Sequence, residues 1–439
     1  MKALDRRGFL TGFATLVLFT GLASDALRNS VGWYGFGAIV LALTALSIAV
    51  LVHHRHTIRF AALPWPLAVF LALATVSIAW SNYPATSVLA VFLQLITTVY
   101  ALAVAFVLTA DELLLVLGRV LRIILSLSLV FELVVGLIIR APVLPVWVAG
   151  EDRVDPPKLL YWSRNLLLEG DRIQGIVGSS SLLAMVALLA LIVFGVQLAS
   201  GTVRRVSGIL SLVLAVATVA LTRSATIYVG IIAVAVVLGM ILLMRRASTP
   251  RARLVTSVGI VAGLAAVVAA GLLLRGQLLN AFGKSEDLTG RLEIWEAVIG
   301  LAQQRPVAGW GWISFWAPWV EPYNDLIIRN GVAQLHAHNA WLDVWLQLGV
   351  LGIVVFGALV LTTATRSWLL ATDRVITAPH DPGRFSWLAL LPPLILTALL
   401  VQSLAESRIL VEGGWILLVI LAVTTKLGML GRMTRSPVR

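Results

Sequence analysis

The sequence predicts an all-α, polytopic membrane protein, and three observations carry that prediction. Of its 439 residues, 59% are hydrophobic and 12% are charged, about half the roughly 25% charged share of a soluble domain. Mean hydropathy is +0.97, which is far from that of a water-soluble fold. The apolar stretches are continuous runs of about 20 residues, the length a helix needs to cross a bilayer core. They are not the alternating segments of a transmembrane β-barrel. A soluble globular enzyme, a disordered chain and a fibrous repeat are thereby excluded. The chain reads as one membrane domain, 1–439, with about 12 transmembrane helices.

In order, the expected spans are 9–22, 31–52, 63–80, 87–108, 113–139, 173–199, 206–221, 225–244, 254–273, 339–361, 387–404 and 413–427. The first is short. Its flank, Asp5-Arg6-Arg7-Gly8-Phe9-Leu10, has the form of a twin-arginine export signal. No small-x-small cleavage site follows and the second span begins almost at once, so it reads as a span. Net charge is +12. With the N-terminus in the cytoplasm, alternation puts most of the basic residues on the cytoplasmic side, including Arg6, Arg55, Arg119, Arg122, Arg245 and Arg432. The high charge is therefore a positive-inside signature and not a nucleic-acid footprint. The absence of cysteine leaves no disulfide to staple an exported loop. Both termini are expected in the cytoplasm.

Two connections exceed the usual length of about 12–15 residues, beyond which a loop tends to be functional or disordered. They are 140–172, between spans five and six, and 275–338, between spans nine and ten, and both fall on the outer face. Their tryptophans, Trp147, Trp162, Trp295, Trp310, Trp312, Trp316 and Trp319, argue against disorder. For most of them an interfacial aromatic belt is the better reading, and stacking on sugar rings is the other. No internal repeat supports an inverted-repeat transporter.

The second loop holds the most informative residues. Thr289 is a good N-cap, and Leu292, Trp295, Val298, Ile299 and Ala302 fall on one helical face. An amphipathic helix over about 290–305 on the outer interface follows, stopped before Pro306. Arg291, in its first turn, suits a phosphate at a helix N-terminus and equally suits a headgroup reached by snorkelling. His338 enters span ten, where an ionisable group is costly and usually functional, and it can accept a proton near neutral pH. His336 lies two residues away, whereas a helical metal pair wants four, so no metal is expected. Asp343 has a polar-contact reading and a His-orienting one, although an offset of five does not put it on the face of His338. Among other carboxylates, Asp111 and Glu112 fall on the cytoplasmic side. Glu151, Asp152 and Asp155 read as solvated loop charges. Glu406, on the outer side, either pairs with Arg408 or lines a cavity.

Taken together, these motifs resemble the O-antigen ligase and Wzy-type polymerase superfamily of surface-polysaccharide enzymes. The resemblance rests on Thr289-Gly-Arg-x-x-x-Trp295, Pro306-x-x-Gly-Trp-Gly311, and His338-Asn339 followed by nine residues and Gly349-x-x-Gly352. Weaker echoes are Arg172-Ile-Gln-Gly-Ile-Val-Gly178 and Leu221-Thr-Arg-Ser-Ala-Thr226, so the motifs reach from Arg172 to Gly352. The resemblance implies a GT-C-like glycosyltransferase of the bacterial cytoplasmic (inner) membrane, serving cell-envelope polysaccharide biosynthesis. It would move a glycan from a polyprenyl (undecaprenyl) diphosphate carrier to a glycan or lipid acceptor hydroxyl, on the outer face, with no metal and no cofactor. Its essential histidine maps to His338 and its pyrophosphate-binding arginines to Arg291 and Arg223. Family members often carry a basic residue where this chain has Ala225, so either Arg223 reaches the phosphate from a shifted position or Arg172 supplies the charge. His336, Asn339, Trp295, Trp310 and Glu406 are candidate supporting residues. The partners implied are the lipid-linked donor, the acceptor and membrane lipids, with no nucleic acid. Two alternatives compete. A lipid-linked glycan flippase needs unusual residues near the midplane, whereas here they crowd the outer rim. A shape–elongation–division type peptidoglycan polymerase relies on an acidic outer-loop residue, whereas here the histidine is the better candidate.

Overall fold

The computed structural model describes residues 4, 6–148, 156–273, 286–324, 326–329, 332–374 and 385–433. Helices α1 (Arg7–Leu22), α2 (Ser24–His53), α3 (Trp65–Val76), α4 (Pro84–Val107) and α5 (Ala110–Val134) precede the first long loop. Then come α6 (Ser180–Ser200), α7 (Arg205–Thr222), α8 (Ala225–Arg246) and α9 (Pro250–Leu273). In the second long loop lies α10 (Glu286–Ala302), followed by α11 (Ala340–Thr372), α12 (Leu391–Ser403) and α13 (Glu412–Met433). Every expected span coincides with one of these helices. Among the described residues, eight helices are long and apolar enough to cross a membrane, and Arg7–Leu22, Trp65–Trp80 and Leu388–Ser403 are shorter apolar ones. The protein is an all-α polytopic membrane protein. A small antiparallel hairpin, β1 (Ile328–Arg329) with β2 (Val332–Ala333), decorates the second loop.

Helices dominate because lipid offers backbone groups no partner, so each span must satisfy its own. α6 is apolar all round and runs through the middle of the bundle, against α5, α7, α8 and α12. A second buried helix, α13, packs on α1, α4 and α11. By contrast α2 turns large apolar side chains outward, among them Trp33, Tyr34 and Leu41. Local signals set several ends. Thr109 and Glu112 form a reciprocal capping box that starts α5, and Glu112 also pairs with Arg7 at 3.3 Å. Asp111 and Glu112 thus have a structural use at the start of that helix.

Two expectations are corrected. The span expected over 173–199 is helical only from Ser180. Residues before it form a loop cradled by Glu132, whose Oε1 accepts the N–H groups of Gln174 (3.0 Å) and Gly175 (2.7 Å). Its Oε2 accepts the Ser163 hydroxyl at 3.0 Å, so a buried carboxylate that would be costly alone is satisfied. Arg119 and Arg122 lie within α5. Arg122 donates to Ser211 Oγ at 2.7 Å and Gln197 Oε1 at 2.5 Å, and lies 4.7 Å from the Phe194 ring centroid. Finally, α10 starts at Glu286, ahead of Thr289, so Arg291 lies beyond its first turn and has no free N-terminal N–H groups beside it.

The feature that positions the site is a break in α11 at Gly349 (φ 65°, ψ −163°), a conformation open essentially to glycine alone. The backbone groups freed by the break are taken up by the second long loop. Trp310 and Gly311 donate their N–H groups to the carbonyls of Leu346 (3.0 Å) and Gln347 (2.9 Å). Val350 and Leu351 donate to the carbonyls of Pro306 (2.9 Å) and Val307 (3.3 Å). A Cβ on Gly349 would run into the Val307 carbonyl, and one on Gly309 into that of Gln347. The Pro306–Gly311 and Gly349–Gly352 motifs are thus two halves of one joint. We predict that Gly349→Ala destabilises the protein by at least about 1–3 kcal/mol from backbone strain alone. A thermal midpoint in detergent equal to that of wild type would refute this.

Candidate functional site

The second long loop packs around a small hydrophobic core of its own. α10 buries Ile294, Val298 and Leu301 against Trp310, Ile313 and Trp316. The Trp295 indole donates to the Ala337 carbonyl at 3.0 Å, and that of Trp310 to the Leu301 carbonyl at 3.0 Å. Tyr83, before α4, anchors the loop from below by donating to the Gly311 carbonyl and meeting the Tyr323 hydroxyl, both at 2.8 Å. The tryptophans therefore divide. Trp310, Trp312 and Trp316 are buried, while Trp319 (76% exposed) and Trp147 (38%) face outward. The belt reading fails for the first three because their rings are the core of the loop and its plug into the bundle. Trp312 packs edge-on to Phe70 at 5.4 Å.

Asp343, in the first turn of α11, is fully buried. Its Oδ1 accepts the Trp316 indole N–H at 2.9 Å and its Oδ2 the Ala337 N–H at 3.0 Å. Ser407 donates its hydroxyl to the same Oδ2. One carboxylate thereby ties together the residue before His338 and the residue after Glu406. Asp343 does not orient His338 by touching it. It fixes the two chain segments that do. The Asn339 side chain caps α11 by accepting from the N–H groups of Trp341 (3.0 Å) and Leu342 (3.3 Å).

Held in this way, His338 sits at φ 49°, the left-handed region that residues other than glycine and asparagine seldom enter. Its backbone N–H donates to His336 Nδ1 at 3.1 Å. Its ring Nδ1 faces Glu406 Oε2 at 3.1 Å and its Nε2 faces Gln334 Oε1 at 3.3 Å. Glu406 also receives Arg291, Nη2 to Oε1, at 3.6 Å, and His336 Nε2 approaches its Oε2 at 3.9 Å. Burial pushes the Glu406 carboxyl up, but the His338 hydrogen bond and the charges of His338, His336 and Arg291 outweigh it and hold it at about 2. Burial and the neighbouring cationic groups lower His336 from 6.5 to about 3, although Glu406 works the other way.

The side-chain donors of His336, His338 and Glu406 lie within 4.8 Å of one another, which is a possible metal triad by distance. Its chemistry fits poorly. The His338 N–H directed at His336 Nδ1 leaves the ring proton of neutral His336 on Nε2, so that nitrogen has no lone pair to give. Arg291 already competes for Glu406. The arrangement suits a histidine hydrogen-bonded to a carboxylate better than a metal ion.

These shifts set an acid stability profile. Glu406 is depressed, so its stabilisation is full above its unfolded value of 4.5 and is lost as pH falls toward about 2. His336 stays neutral in the fold down to about 3, while the unfolded chain takes a proton below 6.5. Stability therefore starts to fall already below pH 6.5. His336→Asn keeps an acceptor near Nδ1 and removes the titration. We predict that it flattens thermal midpoint against pH between 6.5 and 4.5 and leaves the drop below 4.5 in place. An unchanged slope above pH 4.5 would contradict the assignment.

The other sequence candidates fall elsewhere. Arg223 caps α7 in the left-handed conformation (φ 45°) with its side chain exposed. Arg172 Nε donates to the Thr222 carbonyl at 3.4 Å, so these two arginines share the C-terminal end of α7. The arginine that meets the His338 cluster is Arg291. Glu406 does not pair with Arg408. That guanidinium turns to Glu412 (2.7 Å) and Asp25 (3.4 Å), and Arg28 joins both of those carboxylates, at 2.6 Å for Glu412. Sequence reasoning missed this four-residue network. Its members come from the α2 start and the segment leading into α13, and the local signals were the i, i+3 pair Asp25 and Arg28 and the i, i+4 pair Arg408 and Glu412. Glu151, Asp152 and Asp155 lie outside the described residues.

Residues 209–357 match the family described as O-Antigen ligase. Over that stretch the chain is similar to the O-antigen ligase family. The matched O-antigen ligase region runs from α7 into α11 and contains Arg223, Arg291 and His338. The chain is also similar to the "Exopolysaccharide production protein ExoQ" of Rhizobium meliloti (strain 1021), with 30% identity over 132 residues. That alignment covers 28% of each chain, so the similarity spans little more than a quarter of the relative. Glu406 lies beyond the O-antigen ligase match, and its place beside His338 comes from the fold.

Proposed function

We propose that the protein is a membrane glycosyltransferase of surface-polysaccharide synthesis, a ligase or polymerase acting on the outer face of the bacterial cytoplasmic membrane. It moves a glycan from a polyprenyl diphosphate carrier to an acceptor hydroxyl. The observation that carries this reading is the convergence of Arg291 and His338 on one largely buried carboxylate, Glu406. The similarity to the O-antigen ligase family over residues 209–357 and the relative's printed name support the polysaccharide class of substrate.

The chemistry follows from the geometry. Glu406 accepts the Nδ1 proton of neutral His338, which leaves the Nε2 lone pair as a general base. The acceptor oxygen attacks the anomeric carbon of the donor and its proton passes to Nε2. The bond from that carbon to the pyrophosphate oxygen breaks, and the leaving group departs with the electron pair. Arg291 is placed to receive developing negative charge through its guanidinium fork, and Arg223 or Arg172 serves the same leaving group from the end of α7. As the imidazolium forms, Glu406 gains a cationic partner, so the carboxylate stabilises the charge the base acquires. Arginines do here what a divalent metal does in other sites. We therefore predict that an excess of chelator leaves the transfer rate unchanged, and a loss reversed by added divalent cation would oppose the reading.

The direct test places purified protein in liposomes with a polyprenyl-diphosphate glycan and an acceptor. Covalent glycan transfer is expected. Movement of the lipid-linked glycan across the bilayer with no covalent product would overturn the proposal in favour of a flippase. In cells, deletion separates the two forms of the reading. Free lipid-linked chains accumulate if it is a ligase, and single repeat units if it is a polymerase.

A further inference from the structure

We propose that Gln334 belongs to the acceptor subsite, its amide oxygen standing where the acceptor hydroxyl oxygen comes in the reaction and closing His338 Nε2 to water until then. The inference rests on the glycosyl-transfer reading above. Of the two ring nitrogens, Nδ1 is committed to Glu406, so Nε2 must meet the acceptor. The group found there is Gln334 Oε1, at 3.3 Å, a separation close to that of a base and its substrate.

The orientation of the amide is set by its other contacts. Gln334 Nε2 donates to the Val332 carbonyl at 3.3 Å, which turns the oxygen toward the imidazole. The backbone N–H of Gln334 donates to the Ile327 carbonyl at 2.9 Å, so the residue is held by the β1–β2 hairpin independently of its side chain. With neutral His338, the Nε2 lone pair and the amide oxygen are both acceptors and make no good bond. A hydroxyl, which donates to Nε2, is the better partner and displaces the amide at little cost. Once the proton has moved to Nε2, the amide oxygen becomes a matched acceptor for the imidazolium. Gln334 therefore favours exchange with a carbohydrate hydroxyl over a standing contact, and its half-buried side chain keeps bulk water from the base in the meantime.

The test uses the full-length protein and the variants Gln334→Ala and Gln334→Asn, the second keeping an amide but withdrawing it by one methylene. Diethyl pyrocarbonate modification of His338, read by peptide mass spectrometry, needs no turnover. It is expected to proceed several-fold faster in both variants. Hydrolysis of the lipid-linked donor without acceptor is expected to rise roughly tenfold relative to transfer, as water gains the base. An unchanged modification rate in variants that keep the wild-type thermal midpoint would overturn the proposal, as would a parallel fall of hydrolysis and transfer. Failure of the underlying reading looks different, because wild-type protein would then transfer no glycan, while the modification rates would still report whether Gln334 covers Nε2.

Discussion

On the proposed mechanism His338→Ala slows glycan transfer by about 10²–10⁴-fold, the range that a positioned general base contributes, while the thermal midpoint falls modestly, because Glu406 loses its hydrogen-bond partner and keeps Arg291. The fold should tolerate the change because the His338 ring is not in the apolar core and the chain around it is held by other groups. Asp343 accepts the Ala337 N–H, and Asn339 caps α11. His338 sits at φ 49°, so His338→Asn is the better control, since asparagine enters the left-handed region more readily and cannot serve as the base. Both variants should still bind the lipid-linked donor, because the groups assigned to pyrophosphate are elsewhere. The measurement is single-turnover transfer in liposomes together with donor binding. Transfer at the wild-type rate in either variant would remove the mechanism.

Glu406→Gln costs about 10²–10³-fold in turnover, comparable to removing one preorganised group that stabilises transition-state charge. The carboxylate does two jobs that an amide does not. It holds the proton on His338 Nδ1 and it balances the imidazolium. It also neutralises Arg291, 3.6 Å away, so its loss frees a guanidinium that then binds the donor pyrophosphate at least as well. The expected signature is thus a large fall in kcat with little or no rise in the KM for donor. Glu406→Ala should in addition lower stability by about 3–5 kcal/mol, as when one partner of a buried ion pair is removed. An equal rise in KM with kcat intact would show that Glu406 serves binding and not the base.

Several parts of this site were legible in the sequence. Arg291, His338 and the glycines at 309, 311, 349 and 352 lie in short motifs whose spacing is local. The physical reason is that a glycine forced to positive φ, or a histidine at the mouth of a span, leaves its mark at its own position. The choice among partners was not legible. Glu406 stands 68 residues from His338, and its nearest basic neighbour in sequence, Arg408, points to a different pair of carboxylates. Gln334 carried no signal at all, since a glutamine in a polar loop is unremarked until its amide is seen against an imidazole. The tryptophans misled in part, because an indole that caps a membrane interface and one that plugs a loop into the bundle look the same in composition.

The sequence by itself determined that this is a helical membrane protein, roughly where its apolar helices run, and which long loop holds the candidate site. Those properties depend on runs of about 20 apolar residues and on charges next to them, which neighbouring residues set together. Only the tertiary structure decided that Arg291, His336, His338 and Gln334 meet around Glu406, and that the 306–311 segment completes the broken helix at Gly349. Such meetings depend on how α10, α11 and the α12–α13 turn pack against one another. A single buried carboxylate, Asp343, sets the outcome by holding two distant segments side by side.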